Sequence, residues 1–471
     1  MAKISPISGF PEFLPAQRIV EQHVLDTVRQ IFELHGFASL ETRSVEPLEQ
    51  LLRKGEIDKE VYVLRRLHAA DDEVIRPADQ LGLHFDLTVP LARYVLQNAG
   101  HLDFPLRRYQ IQKVWRGERP QEGRYREFTQ ADIDIVGRDT LAFHHEVEVA
   151  LVMAEVFAAL PIPDAVIKVN NRKLAEGFFR GAGATDPDAA LRALDKLDKI
   201  GPERVAALLT DEAGLDATGA QLCLQLAQIS GIDESLGVRV HALGVVHPLL
   251  SQGLDELLAV VAGANARRPG AVVADLKIAR GLDYYTGTVF ETELVGYESL
   301  GSICSGGRYD ALASDGRVTF PGVGISLGVS RLLVPLLAEG RLVASRAVPT
   351  CVLVAVSEES ERRASEAVAD ALRAQGINTE VAPSAAKFGK QIRHADRRGI
   401  PYVWFVSADG SEHSVKDIRS GDQVAADPNA WNPPSGDLRP AVTMEPTREV
   451  GLTTAPTAAP TAGQDPEEST Q

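Results

Sequence analysis

A chain of 471 residues with a formal net charge of −16 at pH 7 has length for about three domains of roughly 150 residues each. Its acidic balance excludes indiscriminate nucleic-acid binding, because phosphate neutralisation needs Lys and Arg, but it leaves room for a local basic surface. Three widely spaced cysteines, Cys223, Cys304 and Cys351, argue against a disulfide framework or a thiolate metal site. No apolar run reaches about 18 residues, and the opening MAKISPISGFPEFLP has no charged and apolar leader pattern, so a cytoplasmic protein without a membrane span is expected.

After an opening loop from Pro6, apolar periodicity predicts an amphipathic helix over Arg18–His35 and a short strand over Gly36–Thr42. In LHFDLTVPLARY, Asp86 and Thr88 stand two apart. That spacing puts a carboxylate and a hydroxyl on one face of a strand, although both residue types also cap helices. The stretch from Arg108 to Gly137 reads as a hairpin with a long tip. Tyr109–Arg116 alternates, Glu118–Arg124 carries proline, glycine and charge, and Glu127–Val136 resumes the alternation. Arg116, Arg124, Gln130 and Asp134 share parity within their strands and can converge on one side of the sheet. A cationic floor beside an amide and a carboxylate suits a phosphate next to an amino acid; the competing reading is a solvated outer face.

His144–Leu160 carries a helical apolar stripe and Val166–Asn170 reads as a strand. From Arg172 to about Arg268, Leu, Ala, Asp and Lys at helical spacing predict a helical insertion with no recognisable site. The β-rich character returns at Ala271–Thr292, where RGLDYYTGTVFE holds Arg280 and the adjacent Tyr284 and Tyr285. On a strand these rings point to opposite faces, one into a pocket and one into packing. Gly301–Arg308 reads as a glycine-rich turn, and PGVGISLG as a strand running into a helix near Val329. Arg331 falls in that helix's first turn, where a glycine-lightened backbone admits a bound ring and a guanidinium can reach phosphate. Thr350–Ser407 has the β-α-β pattern of a compact α/β domain, and the composition of Trp431–Gln471 predicts a disordered tail.

Taken together, these segments resemble the class II aminoacyl-tRNA synthetases, and within them the histidyl-tRNA synthetases of subclass IIa. The hairpin resembles motif 2, Gly322–Leu332 motif 3 and Gly36–Pro47 motif 1; the Arg280 segment resembles the histidine-binding signature, and GSICSGGRYD, Gly301–Asp310, is a further similar segment. The resemblance spans about residues 5–425 and implies an α+β fold. A catalytic antiparallel sheet with flanking helices would occupy residues 1–165 and 271–338, a helical insertion 166–270, a smaller α/β anticodon-binding domain 348–430, and the tail 431–471.

The resemblance further implies a homodimer that uses ATP and Mg²⁺ to activate L-histidine to histidyl-adenylate and then transfers it to tRNA(His). Asp86, Thr88 and Gln130 would hold the α-ammonium, while Tyr285 and Asp134, with Tyr284 beside them, would read the imidazole. An acceptor at one ring nitrogen and a hydroxyl at the other match an edge no other amino acid presents. Arg116 would bind the α-phosphate, Arg331 the γ-phosphate, Phe128 would stack on adenine with Arg124 also at the ATP site, and Arg280 would face Arg116 across the reacting groups. Arg119 and Gln121 of the hairpin tip would meet the acceptor end of the tRNA. Lys390, Arg393 and Arg397 form a stripe on one helical face that fits tRNA phosphates or a merely solvated surface. Ser330 stands where the family usually carries Glu before the motif 3 arginine, and Cys304 reads as a small buried thiol near the site. The alternative is a synthetase-like regulatory subunit of histidine biosynthesis; such paralogues typically lack the C-terminal domain that Pro349–Pro428 supplies here.

Overall fold

The computed structural model describes residues 5–52, 61–68, 76, 79–121, 123–233, 235–279, 284–314, 316–407 and 412–446. Two ten-residue strands, Leu106–Trp115 and Glu127–Val136, pair antiparallel in one unbroken register, with Leu106 opposite Val136 and Trp115 opposite Glu127. This is the hairpin that the alternation predicts. Odd-numbered Ala131, Ile133 and Ile135 are fully buried in a core shared with Val28 and Phe32 of helix Pro15–Leu34 and Val149, Val152 and Val156 of helix His144–Ala159. Each isoleucine, valine and phenylalanine of this set contributes about 1.5–3 kcal/mol by leaving water. The even-numbered residues are turned to the opposite face.

The hairpin belongs to a nine-stranded sheet among the described residues. Its order is Ala38–Ser39, Leu106–Trp115, Glu127–Val136, Gly322–Gly328, Cys304–Tyr309, Thr288–Leu294, Ala165–Asn171, Val272–Asp275 and Ser230–Gly231. Only the first pair and the Ala165–Asn171 pairing with Val272–Asp275 are parallel. Ala165–Asn171 pairs along its whole length with Thr288–Leu294, so the boundary expected at 166 moves: this strand is part of the nine-stranded sheet. The insertion starts with helix Arg172–Gly181, capped by the Asn171 side chain, which accepts from Lys173 N at 2.9 Å. The segment expected as a glycine-rich turn is instead the strand Cys304–Tyr309, since its glycines serve close packing rather than reversal of the chain. Phe37 of the motif 1 segment is buried inside the chain's own core, with the Arg107 guanidinium 4.5 Å above its ring.

The C-terminal domain is a five-stranded sheet ordered Thr379–Val381, Val352–Val354, Tyr402–Val406, His413–Asp417 and Gln423–Ala425, with helices Arg362–Ala374 and Phe388–Arg398 packed on it. The disorder expected from Trp431 onward does not hold for its first part. Trp431 meets Trp404 and Tyr402 edge-on at 5.5 and 5.2 Å, Asp437 accepts from the Tyr402 hydroxyl at 2.7 Å, and Val442–Met444 pairs antiparallel with Leu342–Ala344. Average composition concealed these anchors: Trp431, Leu438 and Val442 lie at the front of the segment and find apolar partners. Residues 447–471 lie outside the described residues.

Ending the chain after Pro446 is expected to leave the melting temperature unchanged, and ending it before Trp431 to lower it. Trp431→Ala alone should cost about 2 kcal/mol, less than a fully buried Trp because it is only partly buried. Thermal and urea unfolding of the three variants measure this, and equal stability of all three would show that the segment adds nothing.

Candidate active site

Residues paired across antiparallel strands project to the same face, so register alone lays out the floor of the cleft. One row runs Gln110, Asp132, Ser326, Ser305, Glu291 and Lys168; the next runs Arg108, Asp134, Gly324, Gly307 and Val289. The two glycines make the second row a trough. A Cβ on Gly324 would collide with Asp134 Oδ1, and one on Gly307 would sit 2.8 Å from the Tyr285 ring.

At the deep end, Asp134 Oδ2 lies 2.6 Å from Arg108 Nη2 and Oδ1 accepts from the Tyr309 hydroxyl at 2.8 Å. Both charged side chains are almost wholly buried, which is tolerable only because they are paired and further hydrogen-bonded. Arg108 also donates to Leu87 O at 3.3 Å and to Gln110 Oε1 at 3.3 Å. Asp86, Thr88, Gln130, Asp132, Asp134, Tyr284 and Tyr285 line a recess of about 80 Å³ here. Two expectations are corrected. Asp86 and Thr88 are not on a strand: Asp86 Oδ1 accepts from Val89 N at 3.0 Å at the start of helix Thr88–Asn98, the capping alternative. The tyrosine rings do not point apart. Their centroids are 4.0 Å apart and both line the cleft, because the strand begins only at Thr288. Burial pushes the Tyr284 phenol well above its ordinary range, so it stays a neutral hydroxyl.

The recess shares Arg116, Gln130, Tyr284 and Tyr285 with a neighbouring cavity of about 350 Å³, which Arg124, Phe128 and Arg331 also line. The Arg116 guanidinium lies 5.2 Å from the Phe128 ring centroid, and its Nε donates to Phe85 O at 3.0 Å. Glu118 sits between two cations, 3.9 Å from Arg116 Nη1 and 3.3 Å from Arg124 Nη1. Arg331 donates to the Leu300 carbonyl. Ser330 is buried, and its hydroxyl accepts from Thr129 N at 3.0 Å, so the residue standing in place of Glu fastens the helix start to the hairpin. Cys304 also lines this cavity; burial pushes its thiol far up, which keeps it protonated and unreactive.

Arg280 lies outside the described residues. Arg119 and Gln121 are exposed at the hairpin tip, and Gln121 borders a second cavity of about 300 Å³ shared with Arg124, Lys168, Lys277 and Arg331. On the C-terminal domain, Lys390, Arg393 and Arg397 are exposed on one side of helix Phe388–Arg398, while Arg398 turns back to pair with Glu380. Arg108, Asp132 and Tyr309 were missed from the sequence. For the first two the signal was present, since they share the parity of the residues already singled out.

Arg108→Met is expected to destabilise the protein by about 3–5 kcal/mol, because it strands the buried Asp134 charge. Adding Asp134→Asn should recover most of the loss. A double-mutant cycle by chemical denaturation gives the coupling, and additive losses would show that the pair is not the reason for the cost.

A family model for histidyl-tRNA synthetase matches residues 9–332, and one for the anticodon binding domain matches residues 350–427. The chain is 61% identical over 450 residues to the histidine–tRNA ligase of Cutibacterium acnes, covering 94% of this chain and 99% of that protein. It is 39% identical over 435 residues to the histidine–tRNA ligase of Clostridium tetani, covering 90% and 96%. The crystal structure of histidyl-tRNA synthetase from Nostoc sp. PCC 7120 superposes with a TM-score of 0.79 at 35% identity, over 90% of this chain and 97% of that one. An ATP phosphoribosyltransferase regulatory subunit/histidyl-tRNA synthetase from Bacillus halodurans C shares the fold, with a TM-score of 0.68 at 18% identity over 83% and 96%. The match extends through the sheet that carries the cleft and through the C-terminal domain, and the chain belongs to the histidyl-tRNA synthetase family.

Proposed function

We propose that this protein is a histidine–tRNA ligase whose cleft performs both half-reactions. One observation carries the reading: the recess that holds a carboxylate fixed by Arg108 and Tyr309 shares Arg116, Gln130, Tyr284 and Tyr285 as common walls with the cavity that Arg331 lines. Asp134 and Tyr285 read the two nitrogens of the imidazole, with Tyr284 packed on Tyr285. Asp86, Thr88 and Gln130 hold the α-ammonium. Adenine stacks on Phe128, with Arg124 beside it, and Arg116 and Arg331 take the α- and γ-phosphates.

The substrate carboxylate then attacks the α-phosphorus; the new O–P bond forms as the bond to pyrophosphate breaks. Charge grows on the non-bridging oxygens, so fixed guanidiniums stabilise the transition state, and no protein nucleophile is needed. By the family resemblance, Arg280 would serve the same purpose. Glu118 and Glu291 line the cavity; oxygen donors of this kind, together with phosphates, suit Mg²⁺, which when bound neutralises phosphate charge. In the second step a terminal ribose hydroxyl of tRNA(His) attacks the acyl carbon and AMP leaves. The exposed Arg119 and Gln121 face that acceptor end. Against the regulatory reading stand the match to an anticodon binding domain and the relatives at up to 61% identity, which are histidine–tRNA ligases.

We further infer a cytoplasmic homodimer. Among the described residues no helix is long and apolar enough to cross a membrane. Among the described residues, Ala38–Ser39 is an exposed edge strand paired on one side only, to Leu106–Trp115, and such edges call for a cover.

Pyrophosphate exchange tested with each of the twenty amino acids should proceed with histidine; exchange with none, or with another, overturns the reading. Replacing Lys390, Arg393 and Arg397 together with Ala should raise the KM for tRNA(His) and flatten its salt dependence while leaving exchange near the parent value. Loss of neither activity would return the helix to a solvated face.

Light scattering at micromolar concentration should give twice the chain mass. A fully active monomer would remove the dimer from this account.

A further inference from the structure

Asp132 has no part in the reaction as described above, yet it occupies the middle of the cleft floor. It lies between Gln130 and Asp134 on the same face of the strand and is 2% exposed. Its cross-strand partner is Ser326. Gln130 Nε2 donates to Ser326 Oγ at 2.7 Å, and Ser326 is in turn hydrogen-bonded to the Asp132 carboxylate. With Gln130 Nε2 donating to it, Ser326 keeps its one proton for the carboxylate, which fixes the Gln130 orientation and turns Oε1 away from the network.

Two buried acceptors emerge without a partner among the described residues: Gln130 Oε1 and Asp132 Oδ1. Both residues line the small recess that also receives Asp86 and Thr88. Burial raises the Asp132 carboxyl to about 7 against the pull of Arg108 and the Ser326 hydrogen bond, with Asp134 and Asp86 adding to the rise. Asp134 has Arg108 in direct contact. Asp132 is thus the carboxylate of this floor short of a donor. A primary ammonium brings three N–H donors and one positive charge, which answers both unmet acceptors and the missing counter-charge.

We propose that Asp132 is a further specificity-determining residue: together with Gln130 Oε1 it accepts hydrogen bonds from the α-ammonium of the amino-acid substrate and supplies its counter-charge. This rests on the reading of the recess as the amino-acid subsite. It assigns Asp134 to the side chain of the substrate and Asp132 to its backbone nitrogen, so two carboxylates two residues apart on one strand read opposite ends of one small molecule.

The test uses two ligands that share the imidazole and differ in the ammonium. Histidinol carries the α-ammonium and no carboxylate; 3-(imidazol-4-yl)propionate carries the carboxylate and no ammonium. Dissociation constants are measured by calorimetry on the full chain and on Asp132→Asn, which keeps the shape of the side chain and removes its charge. Asp132→Ser, which preserves a polar partner for Ser326, serves as the second variant if the first does not melt cooperatively. Loss of a charged hydrogen bond should weaken histidinol about tenfold or more and leave the propionate within about twofold. Equal weakening of both ligands, or of neither, overturns the proposal. Failure of the parent reading looks different: the unmodified protein would then bind neither histidinol nor histidine and would exchange no pyrophosphate.

Discussion

A charge at the buried floor of a cleft is costly unless an opposite charge is built in beside it, and Arg108 is that partner for Asp134. The rest of the deep recess depends on this pair. Removing two charges from water is costly unless each finds charge and hydrogen bonds in return, and here Tyr309 serves the carboxylate while Gln110 and the Leu87 carbonyl serve the guanidinium. The contact to Leu87 matters twice, because Leu87 lies between Asp86 and Thr88. One side chain therefore fixes both the acceptor at the bottom of the recess and the loop that forms its wall.

The cleft is divided by charge along its length. The deep end gathers Asp86, Asp132 and Asp134, and the mouth gathers Arg116, Arg124 and Arg331. A substrate bearing an ammonium and a carboxylate beside a polyphosphate has the complementary order of charges, so orientation follows from electrostatics before any fine fit. Glu118, lying between Arg116 and Arg124, occupies a position suited to an anion and keeps these guanidiniums facing one another across the mouth. The overall charge of −16 says nothing of this arrangement, since it is an average over surfaces that do not meet the ligand.

Packing does the remaining positioning. Gly324 and Gly307 bring backbone, carboxylate and Tyr285 ring into contact distance, and Ser330 ties the helix that carries Arg331 to the hairpin through Thr129 N. The family usually places Glu at that position; a short hydroxyl reaching a backbone N–H on the neighbouring strand is a different way of holding the same arginine in place.

The sequence by itself determined what depends on local periodicity. The parity of Gln130 and Asp134, the glycine-rich strand running into the helix of Arg331, the helical insertion and the α/β pattern of the third domain were all legible, because periods of 2 and 3.6 are properties of adjacent residues. Tertiary structure alone decided which residues face one another. Ser326 stands opposite Asp132 and Gly324 opposite Asp134 only through pairing of strands far apart in the chain. The two tyrosines face the same cleft because the strand starts three residues later than Tyr285, and Asp86 caps a helix because the strand before it ends at Leu83 and helix Thr88–Asn98 follows. Trp431, Leu438 and Val442 gain order from Trp404 and Leu342, partners that a window of composition does not contain. Local pattern fixes the direction of a side chain relative to its own backbone, whereas register and docking fix what it meets, and the chemistry of this cleft resides in the second.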